Sequence, residues 1–216
     1  MKQDQMKPTA LVTNDDGILS NFLWVLVDAL KERFRVTVVA PDGERSWAGR
    51  SFSRTDSVTV SPVAEHANSW SLSGSPTDCV NIGMYHLMDT PPDIVVSGIN
   101  LGFNMSLPLV LTSGTVSAAL EATLSGIRAV AASMHIPADQ FEAAKASNGH
   151  LQEPLLGALK ASATRTAEYA FQLLDTPIDG TVVHNLNFPS TMRSDTPMET
   201  VTLSNIRLGS MYAPTA

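Results

Sequence analysis

Hydrophobic positions fall in short blocks separated by polar, turn-forming clusters, and the period within each block predicts its structure. Thr9-Ala10-Leu11-Val12-Thr13 is an apolar run that stops abruptly at Asn14-Asp15-Asp16-Gly17, the pattern of a buried strand followed by a turn. Over residues 22–34, Leu23, Leu26, Val27, Leu30 and Phe34 recur at helical spacing, with Ser20 or Asn21 placed to cap. Val36-Thr37-Val38-Val39-Ala40 then reads as a second strand, closed by Pro41-Asp42-Gly43. Strand, helix, strand is the right-handed unit of a parallel sheet.

Val58, Val60 and Val63, then Trp70 and Leu72, predict two short strands forming a hairpin flap outside the main sheet. Ser75-Pro76-Thr77-Asp78 opens a helix running to about residue 88: Ser75 can cap, Pro76 suits the first helical position, and Asp78 gives a capping-box spacing. Asp93-Ile94-Val95-Val96-Ser97 is a third strand and residues 127–133 a fourth, with a helix between them starting at Ser113-Gly114-Thr115 and ending at Gly126. Residues 155–174 form an alanine-rich helix, 181–185 a further strand, and 199–208 alternate enough for a last one. The uncharged stretch 94–120 is interrupted by Gly98, Asn100, Gly102, Asn104, Pro108 and Gly114, so it reads as strand, glycine-rich loop and helix and not as a membrane span. The alternation defines one α/β domain over residues 1–216. Its expected fold is Rossmann-like and doubly wound: a mostly parallel sheet with helices on both faces and a small β-hairpin extension.

Composition narrows what such a domain can do. With 216 residues, 44% of them hydrophobic and only 16% charged, the chain can bury roughly 70% of the surface exposed when unfolded. Its net charge of −7 argues against a duplex nucleic-acid partner, and any phosphate chemistry would need a local cation. The single cysteine, Cys79, excludes an internal disulfide framework and a multi-cysteine zinc site. Residues 1–7 show no apolar run, so no signal peptide is expected. A cytoplasmic protein without a membrane partner fits both observations.

In an open parallel sheet, ligands bind beyond the carboxyl ends of the strands. Three predicted strands end in polar loops there: 14–17, 42–46 and 98–104. Asp15 and Asp16 are adjacent, and two carboxylates about 4 Å apart repel by roughly 4 kcal/mol at an effective dielectric near 20. Such a pair shares a proton or holds a cation; without a histidine or cysteine cluster nearby, a hard ion such as Mg²⁺ or Mn²⁺ suits it better than zinc. The competing reading makes Asp15 a turn residue and Asp16 the cap of the next helix. Ser46 and Asn100 can each offer a neutral oxygen, and Asn104 extends the third loop toward the same edge. Ser113-Gly114-Thr115 presents a helix start that either binds phosphate or is simply capped. No P-loop, dinucleotide-binding glycine fingerprint or G-x-S-x-G elbow is present. The five histidines are scattered without metal spacing, and Cys79, beside Val80 and Ile82, reads as an inert buried thiol. Trp47 stands out because it lies inside the second polar loop.

Taken together, Thr13-Asn14-Asp15-Asp16-Gly17, Val38-Val39-Ala40-Pro41-Asp42 with Arg45-Ser46, Gly74-Ser75-Pro76-Thr77-Asp78-Cys79-Val80, and Pro92-Asp93-Ile94-Val95-Val96-Ser97-Gly98-Ile99-Asn100 with Gly102 and Asn104 resemble the SurE family. These stationary-phase survival proteins act as metal-dependent 5′/3′-nucleotidases. The resemblance covers roughly the first 135 residues and continues more loosely over 181–208. It implies one divalent ion, Mg²⁺ or Mn²⁺, on Asp15, Asp16, Ser46 and Asn100, with Asp15 or Asp16 orienting or deprotonating the attacking water. It also implies phosphate contacts from Asn104, Ser113, Gly114 and Thr115, nucleoside monophosphates or other small phosphomonoesters as substrates, and a homodimer or homotetramer. Three departures surround these positions. Trp47 stands where the family usually has glycine, the family's His and second Gly are missing from 18–22, and the acidic pair before Ser-Gly-Thr is missing from 105–112. They leave an alternative open: a nucleotide-binding or sensing module that keeps the metal with little or no turnover. A haloacid-dehalogenase-like phosphatase is excluded, because it needs two aspartates two positions apart, and Asn14 and Gly17 break both registers.

Overall fold

The computed structural model describes residues 7–212 apart from 56, 208 and 211. In chain order the elements are β1 (Thr9–Thr13), α1 (Asn21–Lys31), β2 (Arg35–Pro41), β3 (Val60–Pro62), β4 (Ser69–Leu72), α2 (Pro76–Ile82), β5 (Ile94–Leu101), α3 (Leu107–Thr112), α4 (Gly114–Leu124), β6 (Arg128–Met134), α5 (Ala138–Ala146), α6 (Leu155–Gln172) and β7 (Val183–Phe188). The strands form one seven-stranded sheet in the order β3-β4-β2-β1-β5-β6-β7. Every pairing is parallel except that of β3 with β4.

Strand residues alternate between two cores, as a period of two requires in a sheet covered on both faces. Ala10, Val12, Val38 and Ala40 face α1 and α6, where Phe22, Leu26 and Leu159 are fully buried. Leu11, Val39 and Val95 face α2 and α4, where Cys79, Val80 and Ala119 are buried. Alanines at 158, 163, 167 and 170 let α6 pack closely against α1. The chain runs from β1 outward through β2 to β4, then crosses back to β5 on the other side of β1. That reversal makes the carboxyl ends of β1 and β5 the topological switch point, where doubly wound sheets bind ligands.

Several elements differ from their sequence-based expectation. The hairpin is not a flap outside the sheet, since β4 pairs with β2 and carries β3 as the outermost strand. β5 does not stop at Ser97 but continues through the glycine-rich segment to Leu101, with a register shift between Ser97 and Asn100. At Gly98, φ is 135°, and an added Cβ would lie 2.3 Å from the Ala132 carbonyl oxygen, so only glycine keeps the strand against β6. A short helix, α3, occupies part of the expected loop, with Pro108 in its first turn. α1 ends at Lys31, α2 gives way to a π-helical turn over Gly83–Leu87, and β7 begins two residues later than expected and runs to Phe188. Among the described residues of 199–208 there is no strand, only a parallel bridge from Ser204 to Ser106. Among the described residues, no helix is long and apolar enough to cross a membrane.

Candidate active site

The turn after β1 is built by Asn14 and not by the two aspartates. Asn14 Nδ2 donates to the Gly17 carbonyl (3.0 Å), and Gly17 N–H returns a bond to Asn14 Oδ1 (3.2 Å). Gly17 takes φ 101° here, 3.0 Å from the Gly43 backbone at its would-be Cβ, a position no side chain could share. The cap position of α1 is Ser20. Asp15 and Asp16 are therefore spent neither on the turn nor on the cap, and the competing reading of the pair falls away.

Each carboxylate instead reaches across the switch point. Asp15 Oδ1 accepts the Thr115 hydroxyl (2.6 Å) and Oδ2 the Thr115 N–H (3.1 Å). An added Cβ on Gly114 would come within 2.7 Å of Asp15 Cβ, so glycine is what lets α4 approach this closely. The start of α4, which the sequence offers to phosphate, is thus already occupied by the carboxyl group of Asp15. Ser113 Oγ caps the helix by accepting from Val116 N–H (3.1 Å). Asp16 Oδ2 accepts from Leu101 N–H (3.1 Å) at the end of β5. Burial pushes the Asp15 carboxyl above its ordinary value despite the Thr115 bonds. Burial and then the neighbouring Asp15 charge push Asp16 up to about 8.

The two aspartates open onto a cleft of about 480 Å³, whose lining includes Ser46, Asn100, Asn104 and Ser113. Three loops from separate strands therefore converge as the sequence reading requires. Gly114 and Thr115 do not line the cleft and act on it through Asp15. Asn104 is held from three sides: its N–H donates to Asn187 Oδ1 (2.7 Å), its Nδ2 to Ser133 Oγ (3.0 Å), and its carbonyl accepts from Asn185 Nδ2 (2.8 Å). Asn185 and Asn187 went unremarked in the sequence, although polar residues two apart at a strand end share one face. Lys145 on α5, also unremarked, is the one basic residue among the described residues that line the cleft. It pairs with Glu44 (Nζ–Oε1 2.9 Å). Burial pushes Glu44 up, but hydrogen bonds from Lys145 and Ser46 outweigh it and leave the carboxyl below its ordinary value.

This donor set fits a hard divalent cation. Two adjacent carboxylates, one raised to about 8 by burial and its neighbour, share their cleft with the oxygens of Ser46 and Asn100 and with one ammonium, Lys145, which is itself paired with Glu44. Among the described residues no three His, Cys, Asp or Glu cluster as a metal group, so a site here would rest on two carboxylates and neutral oxygens.

A parallel sheet with paired carboxylates at its switch point defines a class of ligand-binding α/β protein, and comparison with known proteins gives the family. The profile of the family described as survival protein SurE matches residues 10–210, and the chain belongs to that family. It is 35% identical over 199 residues to the 5′-nucleotidase SurE of Methanocaldococcus jannaschii, a match covering 90% of this chain and 71% of that one. It is 40% identical over 179 residues to the 5′-nucleotidase SurE of Geobacter sulfurreducens, covering 83% and 61% respectively. The crystal structure of the SurE protein from Aquifex aeolicus superposes with a TM-score of 0.70 at 31% identity, over 85% of this chain and 66% of that one. The chain thus spans about two thirds of the length of these relatives.

Proposed function

We propose that the cleft hydrolyses nucleoside 5′- or 3′-monophosphates to nucleoside and phosphate, using one divalent ion, Mg²⁺ or Mn²⁺, held by Asp15, Asp16, Ser46 and Asn100. The observation that carries this reading is the carboxylate pair at the switch point, anchored by Thr115 and Leu101 and opening on the cleft that Ser46 and Asn100 line. The relatives named 5′-nucleotidase support the choice of substrate. When bound, the ion supplies Lewis-acid polarisation of the phosphoryl group.

The chain's own residues divide the remaining work. Asp15 is tied to Thr115 and only 3% exposed, so its remaining lone pairs serve the ion, and Asp16, half-buried on the cleft, is the carboxylate that orients or deprotonates the attacking water. Water oxygen bonds to phosphorus, the ester P–O bond breaks, and the proton ends on the departing ribose oxygen. Asn104 and Ser113 contact the phosphate from the cleft wall, with Asn104 kept in place by Asn185, Asn187 and Ser133. Gly114 and Thr115 serve as positioning residues for Asp15. Lys145 gives the dianionic substrate the cation that a chain of net charge −7 otherwise withholds. The same reading makes the protein cytoplasmic, with no duplex nucleic-acid or membrane partner, and a homodimer or homotetramer in solution.

Phosphate release from a panel of nucleoside 5′- and 3′-monophosphates, with Mn²⁺, Mg²⁺ or EDTA, tests it. Metal-dependent release that Asp16→Ala abolishes is the expected result. Metal binding by folded protein with no release from any monophosphate would replace it with the binding-module alternative.

A further inference from the structure

The cleft has a second character away from its carboxylates. Trp47 follows Ser46 directly and is 54% exposed while lining the cleft. Phe103, 41% exposed, lines it from the end of β5, three residues after Asn100. Leu109, Ile136 and Phe141 add further apolar wall. Each aromatic ring thus follows closely on a residue of the carboxylate end, one in the β2 loop and one in the β5 loop.

Trp47 holds its place against its own backbone preference. Its φ is 63°, the left-handed region that favours glycine and where a bulky residue is an outlier. The loop is fixed on both sides of it: Arg45 N–H donates to the Asp15 carbonyl (2.7 Å) and Gly49 N–H to the Thr112 carbonyl (2.9 Å). An indole in a strained, tethered loop, exposed over a cleft rather than packed in a core, is a surface prepared for a flat apolar ligand. The cleft, at about 480 Å³, is in the range that takes a whole small-molecule ligand and not a phosphate alone.

We propose that Trp47 is the stacking platform for the nucleobase, selecting nucleoside monophosphates, purines foremost, over sugar phosphates that carry no base. The proposal rests on the nucleotidase reading above and names the substrate feature that the same cleft recognises. Stacking on an indole rewards the area of the ring and not its hydrogen-bond pattern, so the two-ring purines gain most. Phe103, at the end of β5, offers a second apolar surface in the same cleft.

The test compares wild type with Trp47→Gly and Trp47→Phe. Glycine takes φ 63° freely, so the first variant relieves the loop while removing the ring. The quantity measured is the ratio of kcat/KM for a purine nucleoside monophosphate to kcat/KM for ribose 5-phosphate, which cancels any shared disturbance of neighbouring Ser46. The expected result is a fall of roughly tenfold in Trp47→Gly, carried mainly by KM, with Trp47→Phe retaining most of the selectivity. An unchanged ratio in Trp47→Gly overturns the proposal. Indole fluorescence provides a binding arm that needs no turnover. Trp24 and Trp70 do not line the cleft, so quenching by added purine monophosphate is expected in wild type and lost in Trp47→Gly. Quenching that is absent from wild type or persists in the variant overturns stacking. Wild type that releases no phosphate but is quenched through Trp47 would overturn the hydrolytic reading and keep this one.

Discussion

Thr115 gives its backbone N–H and its hydroxyl to one carboxylate, and that double commitment sets what substitutions here should do. Asp15 is only 3% exposed, and these donors work against the burial that pushes its carboxyl up. Thr115→Val keeps the N–H and the shape but leaves Asp15 Oδ1 without the hydroxyl. The expected loss is about 1–3 kcal/mol, the range for a buried acceptor left without its donor, while Thr115→Ser should stay near wild type; urea unfolding of the three proteins checks both. Gly114→Ala acts on the same carboxylate by crowding, because its methyl would sit 2.7 Å from Asp15 Cβ. The expected cost is about 1–3 kcal/mol, together with loss of Mn²⁺ binding by titration calorimetry. Thr115→Ser and Gly114→Ala both look conservative on paper, and only the position of Asp15 separates their outcomes.

At the scale of elements, α2 shows how far local chemistry carried the fold. Ser75 Oγ accepts from Asp78 N–H (3.1 Å) and Asp78 Oδ2 accepts from Ser75 N–H (2.8 Å), the reciprocal box that the spacing Ser75-Pro76-Thr77-Asp78 promised. Asp78 also accepts from the backbone and hydroxyl of Ser53 (3.2 and 2.8 Å), which ties the long segment before β3 to this helix. Ser75→Ala should cost about 0.5–2 kcal/mol, since it removes the cap and the bond that its hydroxyl gives the Ser51 carbonyl, and Asp78→Ala more, since it leaves the Ser75 N–H and both Ser53 donors without their acceptor; guanidinium unfolding gives both values. Elements with a strong burial pattern were legible for the same kind of reason: β1, β2 and β6, buried on both faces, are near-continuous apolar runs, and α1, buried on one, repeats its apolar residues at 3.6. α3 and α5 were not. α3 is apolar nearly throughout yet buries no residue, and α5 buries only Ala144, so neither leaves a periodic trace. The hairpin's attachment was hidden because β3 is exposed along its whole length and β4 joins β2 through backbone bonds, which carry no side-chain code. β5 was cut short because Gly98, Asn100 and Gly102 are turn formers in sequence; the strand continues because Gly98 clears the Ala132 carbonyl.

For the whole molecule, the decisive fact is that the proposed ligands belong to three different strands. Asp15 and Asp16 follow β1, Ser46 follows β2 and Asn100 lies in β5, so an ion on all four would tie together loops that backbone pairing alone brings to one edge. The convergence was legible from the strand-end loops, whereas Lys145 was not, because it arrives on a helix the pattern did not announce. Such an ion binds the folded chain and not the unfolded one, so it must raise stability. At about 100 times its Kd the gain is about 2.7 kcal/mol. A domain of this size gains about 2–4 °C in Tm per kcal/mol, so saturating Mn²⁺ should raise Tm by roughly 5–11 °C, and EDTA should reverse the rise. Asp16→Asn separates this effect from general ion stabilisation. Without metal, the buried pair is a cost: burial and the Asp15 charge push the Asp16 carboxyl up to about 8, and a neutral amide relieves that strain. The variant should therefore melt no lower than wild type in EDTA, and lose most of the increment when Mn²⁺ is added. Scanning calorimetry of both proteins with and without Mn²⁺ reads these together. An equal rise in the two would move the ion away from the switch point, and a variant already less stable in EDTA would mean that Asp16 holds the fold together and not the metal.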